Sequence, residues 1–151
     1  LKMRYITKPF ACRAAIMLCL SVFLTACSKP VAFTDYTVEN LLKKNLSELT
    51  EPRLFETEKL EIIQKSEEGD AAEAEVYVTL VFPEDFDTVI SMRKLQPFNM
   101  EYKQYKSSFG KFAAGERQRH HAKYQFVRRD GKWLISGSQA MSPPEIMPPQ
   151  P

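Results

Sequence analysis

A chain of 151 residues, 44% hydrophobic and 26% charged, has room for one ordinary domain and the composition of a globular one. Its formal charge of +2 is unevenly placed: Lys2, Arg4, Lys8 and Arg13 come with no acid among them, and the remaining 17 Lys and Arg meet 19 Asp and Glu, about −2. That balance lacks the basic excess of a general nucleic-acid binder, so no nucleic acid is expected as a partner.

The first 26 residues read as an export signal. The four bases precede an apolar run from Ala14 to Leu24, and small residues follow at Thr25-Ala26. The run falls short of the ~20 apolar residues a membrane-spanning helix needs. Leu1-Lys2 stand ahead of Met3, where translation is expected to start. Leu24-Thr25-Ala26-Cys27 resembles the lipobox of bacterial lipoproteins. The resemblance implies cleavage before Cys27 and a diacylglyceryl thioether on its sulfur, with palmitate-type acyl chains holding the protein to a membrane. Sulfur suits this chemistry because it is the side-chain nucleophile most easily alkylated. A plain signal peptide with an incidental cysteine is the alternative reading. Ser28 stands where an Asp would resemble an inner-membrane retention signal of enteric-type bacteria. The expected address is therefore the periplasmic face of the cell envelope, with the outer membrane favoured.

Cys12 and Cys19 would leave with the signal, and Cys27 would carry the lipid. The mature domain then has no disulfide, no cysteine nucleophile and no thiolate metal site, and is held by its core alone. Residues 27–34 are expected to be the lipidated cysteine and a short tether, at most ~25 Å long over residues 28–34.

A single domain is expected over residues 35–141. Asp35 to Leu49 has Val38, Leu41, Leu42, Leu46 and Leu49 at helical spacing, with Thr34 or Asp35 to cap its start and Pro52 beyond its end. Lys59 to Ser66 reads as a strand with Leu60 and Ile62 inward, and Glu67-Glu68-Gly69-Asp70 as a turn. Ala72 to Phe82 is a strand with Ala72, Ala74, Val76, Val78, Leu80 and Phe82 on one face, ended by Pro83. Residues 84–112 are ambiguous. Phe86, Val89 and Ile90 suit a short helix, Pro97 interrupts, and Phe98, Tyr102, Tyr105, Phe109 and Phe112 recur as a helical stripe. Glu116 to Arg128 alternates, with His120, Ala122, Tyr124 and Phe126 on one face and Arg117, Arg119, His121, Lys123 and Gln125 on the other. Asp130-Gly131 is a two-residue hairpin turn leading into a last strand, Lys132 to Ala140. Residues 142–151 hold five of the ten prolines and are expected to form a flexible, extended tail.

The order predicts an α+β fold, a curved antiparallel sheet of about four strands packed by an N-terminal helix and a helical connection. The segment Tyr124-Gln125-Phe126-Val127-Arg128-Arg129-Asp130-Gly131-Lys132-Trp133-Leu134-Ile135 resembles the last hairpin of nuclear-transport-factor-like and cystatin-like domains. The long stretch between the two hairpins departs from that pattern.

Adjacent strand residues point to opposite faces, so His120 and His121 cannot chelate one ion, and neither a metal nor a cofactor is expected. A structural role is favoured for both, His120 at the core edge and His121 exposed. The nuclear-transport-factor-like resemblance implies a cone-shaped pocket, in which Asp85 or Asp87 would act as base with His120 or Tyr124 as partner. The simpler reading of the two aspartates is a helix start after Pro83. No nucleophile elbow, Walker loop or dinucleotide fingerprint occurs, so catalysis is not expected.

Two surfaces are candidates for a partner. The stripe Phe98, Tyr102, Tyr105, Phe109 is either a helix's core face, the commoner case, or a docking surface. Charge is also split along the chain: residues 28–87 hold six bases and fifteen acids, and residues 88–151 eleven bases and four acids. The basic strand face Arg117, Arg119, His121, Lys123 would meet an anionic partner, or else pair internally with Glu73 and Glu75 on a neighbouring strand, which is slightly favoured. The expected function is a lipid-anchored binding or assembly module, a component or accessory of an envelope or secretion complex whose partner is another envelope protein. The alternatives are an immunity lipoprotein that neutralises a toxin in the periplasm, and a small-ligand or enzymatic pocket protein.

Overall fold

A computed structural model describes residues 29–49 and 54–149. The expected export signal, the lipobox-like Leu24-Thr25-Ala26-Cys27, Ser28 and Pro52, expected beyond the end of the first helix, lie outside the described residues.

Helix α1 spans Asp35–Glu48. Thr34 caps it: the Thr37 backbone N–H donates to Thr34 Oγ1 at 3.2 Å. Val38, Leu42 and Leu46 are buried, one residue per turn along one face. Leu49, read as the end of that stripe, sits at the C-cap and is exposed.

Strands β1 (Glu56–Glu68), β2 (Ala71–Val81), β3 (Arg117–Arg129) and β4 (Lys132–Ala140) form an open antiparallel sheet in chain order. The β2–β3 ladder runs without a break from Ala71↔Val127 to Val81↔Arg117. Irregularities in β1, and in the β3–β4 pairing at Gln125/Phe126, supply local bends that help the sheet curve. Asp130 and Gly131 both have positive φ, +51° and +73°, as a type I′ turn requires. The β1–β2 turn lies beside it, since the Arg128 N–H donates to the Asp70 carbonyl at 2.8 Å. Both hairpin turns therefore mark one end of the sheet. At the other end two short helices connect β2 to β3: α2 (Phe86–Met92) and α3 (Met100–Phe109).

The alternation read from sequence sets the faces. Ala72, Ala74, Val76, Val78 and Leu80 of β2 are buried on the inner face, together with Phe126 of β3 and Trp133 of β4. Alanines at positions 72 and 74 leave room on that face beside bulkier core residues. Burying each Val, Leu or Phe side chain contributes roughly 1.5–3 kcal/mol, the main source of stability in the described residues, which hold no cysteine. Two aromatic groups close the core. Near the hairpin turns, Phe33 packs on Phe126 and Trp133 with centroids 5.1 and 4.9 Å apart. At the helical end Phe82 stacks on Phe112 at 4.0 Å and meets Phe109 at 5.5 Å.

Both ends of the expected domain are corrected. Residues 31–34 do not form a tether. The Val31 N–H donates to the Gly131 carbonyl at 3.0 Å, Trp133 Nε1–H donates to the Val31 carbonyl at 2.8 Å, and Phe33 is buried. The proline-rich end does not run free of the domain either. Strand β5 (Glu145–Met147) pairs antiparallel with Arg117–Arg119, on the stretch of β3 that β4 leaves uncovered. Arg117 Nη1 donates to the Pro148 carbonyl at 3.2 Å and fixes this return. Prolines on either side of β5 suit a short edge strand, where a missing N–H is tolerated.

Candidate functional site

Three elements cover the inner face of the sheet. Helix α1 comes over it from the hairpin end and stops at Glu48, α3 comes from the other end and stops at Phe109, and the β4–β5 connection bends past the edge. Between them an open cleft of about 750 Å³ remains. Its floor is Val78 and Leu80 of β2 with His120, Ala122 and Tyr124 of β3. Its walls are Leu46 and Leu49 of α1, Ser107, Ser108 and Phe109 of α3, and residues 138–144. A smaller recess of about 370 Å³ adjoins it and shares Leu49, Phe55, Ser108 and Phe109.

His120 and Tyr124 lie four residues apart on one strand face, so their side chains stand ~13 Å apart along the floor. The protonation of His120 follows from its neighbour. The Gln118 amide Nε2–H₂ donates to the Phe109 carbonyl at 2.8 Å and to Glu116 Oε1 at 2.7 Å. Turning that amide round would set its oxygen against two acceptors, so Gln118 Oε1 is what faces His120 Nε2, 3.0 Å away. Nε2 therefore carries a proton, and in the neutral ring Nδ1 keeps its lone pair. Burial pushes the His120 pKa down, in favour of this neutral form. Burial also pushes the Tyr124 pKa up, so its hydroxyl stays protonated. Neither Nδ1 nor the Tyr124 hydroxyl has a protein partner among the described residues, where no buried side-chain polar atom is left unsatisfied. Both atoms therefore open onto accessible space, in residues that line the cleft.

The carboxylate half of the expected acid–base pair is elsewhere. Asp85 caps α2: its carboxylate accepts from the Thr88 N–H at 2.9 Å and the Thr88 hydroxyl at 2.7 Å. Those bonds, the backbone one first, hold its pKa below the usual carboxylate range. Asp87 is exposed in the first turn of α2. Neither lines the cleft, and among the described lining residues there is no Asp or Glu. Glu101 borders the smaller recess but accepts from Arg93 and Tyr105 at 2.9 and 2.5 Å. Burial, with help from Glu101, raises the Tyr105 pKa to about 12.

The aromatic stripe divides. Phe109 and Phe112 are core, though Phe112 lies beyond the end of α3. Tyr102 packs edge-on against Phe86 at 5.6 Å, and Tyr105 ties α3 to Arg93 beyond α2. Phe98 precedes the helix and is 77% exposed. A single continuous helix would have aligned the five residues; Pro97 and the Asn99 N-cap begin α3 after Phe98, and Gly110 with φ +69° ends it before Phe112.

The basic face of β3 is paired within the sheet. Arg117 Nε donates to Glu58 at 3.0 Å, Arg119 lies 3.5 Å from Glu61, His121 Nε2 lies 2.6 Å from Glu75, and Lys123 lies 3.5 Å from Glu73. Arg119 also covers the Tyr77 ring at 3.9 Å, with His121 4.5 Å from the same ring. His121 is thus half-buried in a stack, rather than exposed as its alternation suggested. The two histidines face opposite ways, and among the described residues no three His, Cys, Asp or Glu side chains converge as a metal site.

The resemblance implied a pocket inside the sheet with His120 or Tyr124, but the residue pattern did not give its walls, which come from three distant segments. The one available signal was Glu145-Ile146-Met147, a strand-length triplet between proline pairs, which bends the chain across one side. Comparison with family models, curated proteins and solved structures finds no match for this chain.

Proposed function

We propose that this protein is a cell-envelope lipoprotein, anchored through lipid on Cys27 and facing the periplasm, whose task is to bind a ligand in the cleft on the inner face of its sheet. The observation that carries the binding reading is the cleft itself. It is large enough for a small molecule, mostly apolar, and offers two polar groups with free hydrogen-bonding capacity. Acid–base catalysis of the kind considered from sequence needs a carboxylate beside His120 or Tyr124, and Asp85 and Asp87 are not there.

The docked segment from Val31 onward sharpens the anchor. At most ~14 Å of chain separates Cys27 from Val31, so lipid on Cys27 would hold the two hairpin turns against the membrane. The helical end would then stand away from it, β3 being 13 residues long, ~40 Å. One feature there favours a second reading, attachment to another envelope protein: Phe98 and Met100 are 77% and 79% exposed.

A photo-crosslinking amino acid placed in turn at Ser108, Phe98 and Glu73 separates these readings in intact cells. Crosslinks from Ser108 alone, to a small molecule, are expected. Crosslinks to one protein from Phe98 and none from Ser108 would replace the cleft with the helical tip. A product from Glu73 would bring back the charged face. Membrane fractionation of Cys27→Ala tests the anchor: the processed variant should become soluble, and its retention by membranes would refute lipid anchoring.

A further inference from the structure

The chemistry of the cleft walls defines its ligand. Nineteen described residues line it, and at the chain's 26% charged content about five of them would be Asp, Glu, Lys or Arg, whereas none of the described ones is. The two histidines do not make up for this. Burial favours the neutral form of His120, whose Nε2–H donates to Gln118, and His121 directs its ring to the opposite face, against Glu75. A carboxylate, phosphate or ammonium entering the cleft would give up water and meet no counter-charge among the described residues. An apolar body loses nothing there, because Val78, Leu80, Ala122 and Phe109 present only carbon to it.

We propose, building on the reading that the cleft is the binding site, that its ligand is an uncharged amphiphile, with an apolar body on Val78, Leu80 and Ala122 and one hydroxyl or amide N–H that donates to His120 Nδ1. Tyr124, at the other end of the floor, donates its hydroxyl to a ligand oxygen. The Gln118 contact gives His120 its role: by accepting from Nε2–H it leaves Nδ1 of the neutral ring as the acceptor for the ligand. A ligand with an apolar body and a donor at one end fits; a ligand with only acceptors there leaves Nδ1 unmatched.

Two dyes with the same aromatic body test this. N-phenylnaphthylamine is neutral, and anilinonaphthalene sulfonate adds one negative charge; each carries one N–H. The processed chain with Cys27→Ser, kept unlipidated so that no micelle competes for the dyes, is titrated with each and followed by fluorescence. The neutral dye is expected to saturate at one per chain, at least tenfold tighter than the sulfonate. Ser108→Trp, on an exposed wall position, and Ala122→Trp, on the floor, should each weaken it at least tenfold, and circular dichroism reports whether each variant keeps its fold. Equal or tighter binding of the sulfonate would overturn the uncharged class while leaving the cleft as a binding site. Saturable binding of neither dye, or binding untouched by Ser108→Trp, would overturn the ligand class and the cleft reading together.

Discussion

The two faces of the sheet are made from the same strands and share one alternation, but they use it differently. On the outer face, side chains from β1, β2 and β3 form a ladder of ion pairs, Arg117–Glu58, Arg119–Glu61, His121–Glu75 and Lys123–Glu73. A hollow on this face is a dimple of about 60 Å³ lined by charged and polar groups. On the inner face the same strands show mainly apolar residues, with Gln118, His120 and Tyr124 as uncharged polar groups, and a cleft more than ten times larger. The comparison teaches that a charged surface which has found its own counter-ions is poorly suited to recruiting others. Half-exposed pairs of this kind contribute about 0–1 kcal/mol each and mainly fix register. The free interaction capacity lies on the face with little charge.

If that division holds, the largest losses come from the inner face. Phe82 is fully buried between Phe55, Phe109 and Phe112, and Phe82→Ala should cost about 3–5 kcal/mol in denaturant unfolding. A loss under 1 kcal/mol would mean the helical end is not part of the cooperative core. Trp133→Phe comes next. It keeps an aromatic ring beside Phe33 but removes the bond to the Val31 carbonyl, and about 1–3 kcal/mol should go with it. Faster proteolysis at residues 29–34 should accompany the loss, since that bond helps hold the segment down.

A smaller effect follows from His120. Its folded pKa lies below its ordinary value of 6.5, so the unfolded chain binds the proton more readily. Its contribution to stability is complete above about pH 6.5 and falls as pH drops from there towards the folded pKa. Melting temperatures of His120→Gln should therefore depend less on pH between 7 and 5 than those of the unaltered protein. An unchanged pH dependence would mean that His120 is not the neutral group described. The smallest effect belongs to the outer face. A double-mutant cycle on Arg117 and Glu58 should return about 1 kcal/mol or less, and less again at high salt. A coupling of several kcal/mol would erase the contrast between the faces.

What was legible in the sequence follows the range of the forces involved. The faces of β2 and β3 depend on period-two alternation, so Val76, Val78, Ala122 and Phe126 were placed correctly from local pattern. The I′ turn at Asp130-Gly131 was equally local. Val31 and Phe33 were misread because their partners, Gly131, Phe126 and Trp133, are about a hundred residues away. Residues 145–147 were misread because the edge they cover exists only once β4 has stopped short on β3. His120 and Tyr124 could be put on one face, but the space in front of them is a gap between helix ends, and no residue pattern encodes a gap.

The most direct test of the central claim is native mass spectrometry of the processed protein released gently from its own membrane, compared with Ser108→Trp prepared in the same way. A discrete added mass on the unaltered protein, distinct from the lipid proposed on Cys27 and absent from Ser108→Trp, is the expected result. No added mass on the unaltered protein, or the same mass on both, would contradict a ligand-binding role for the cleft.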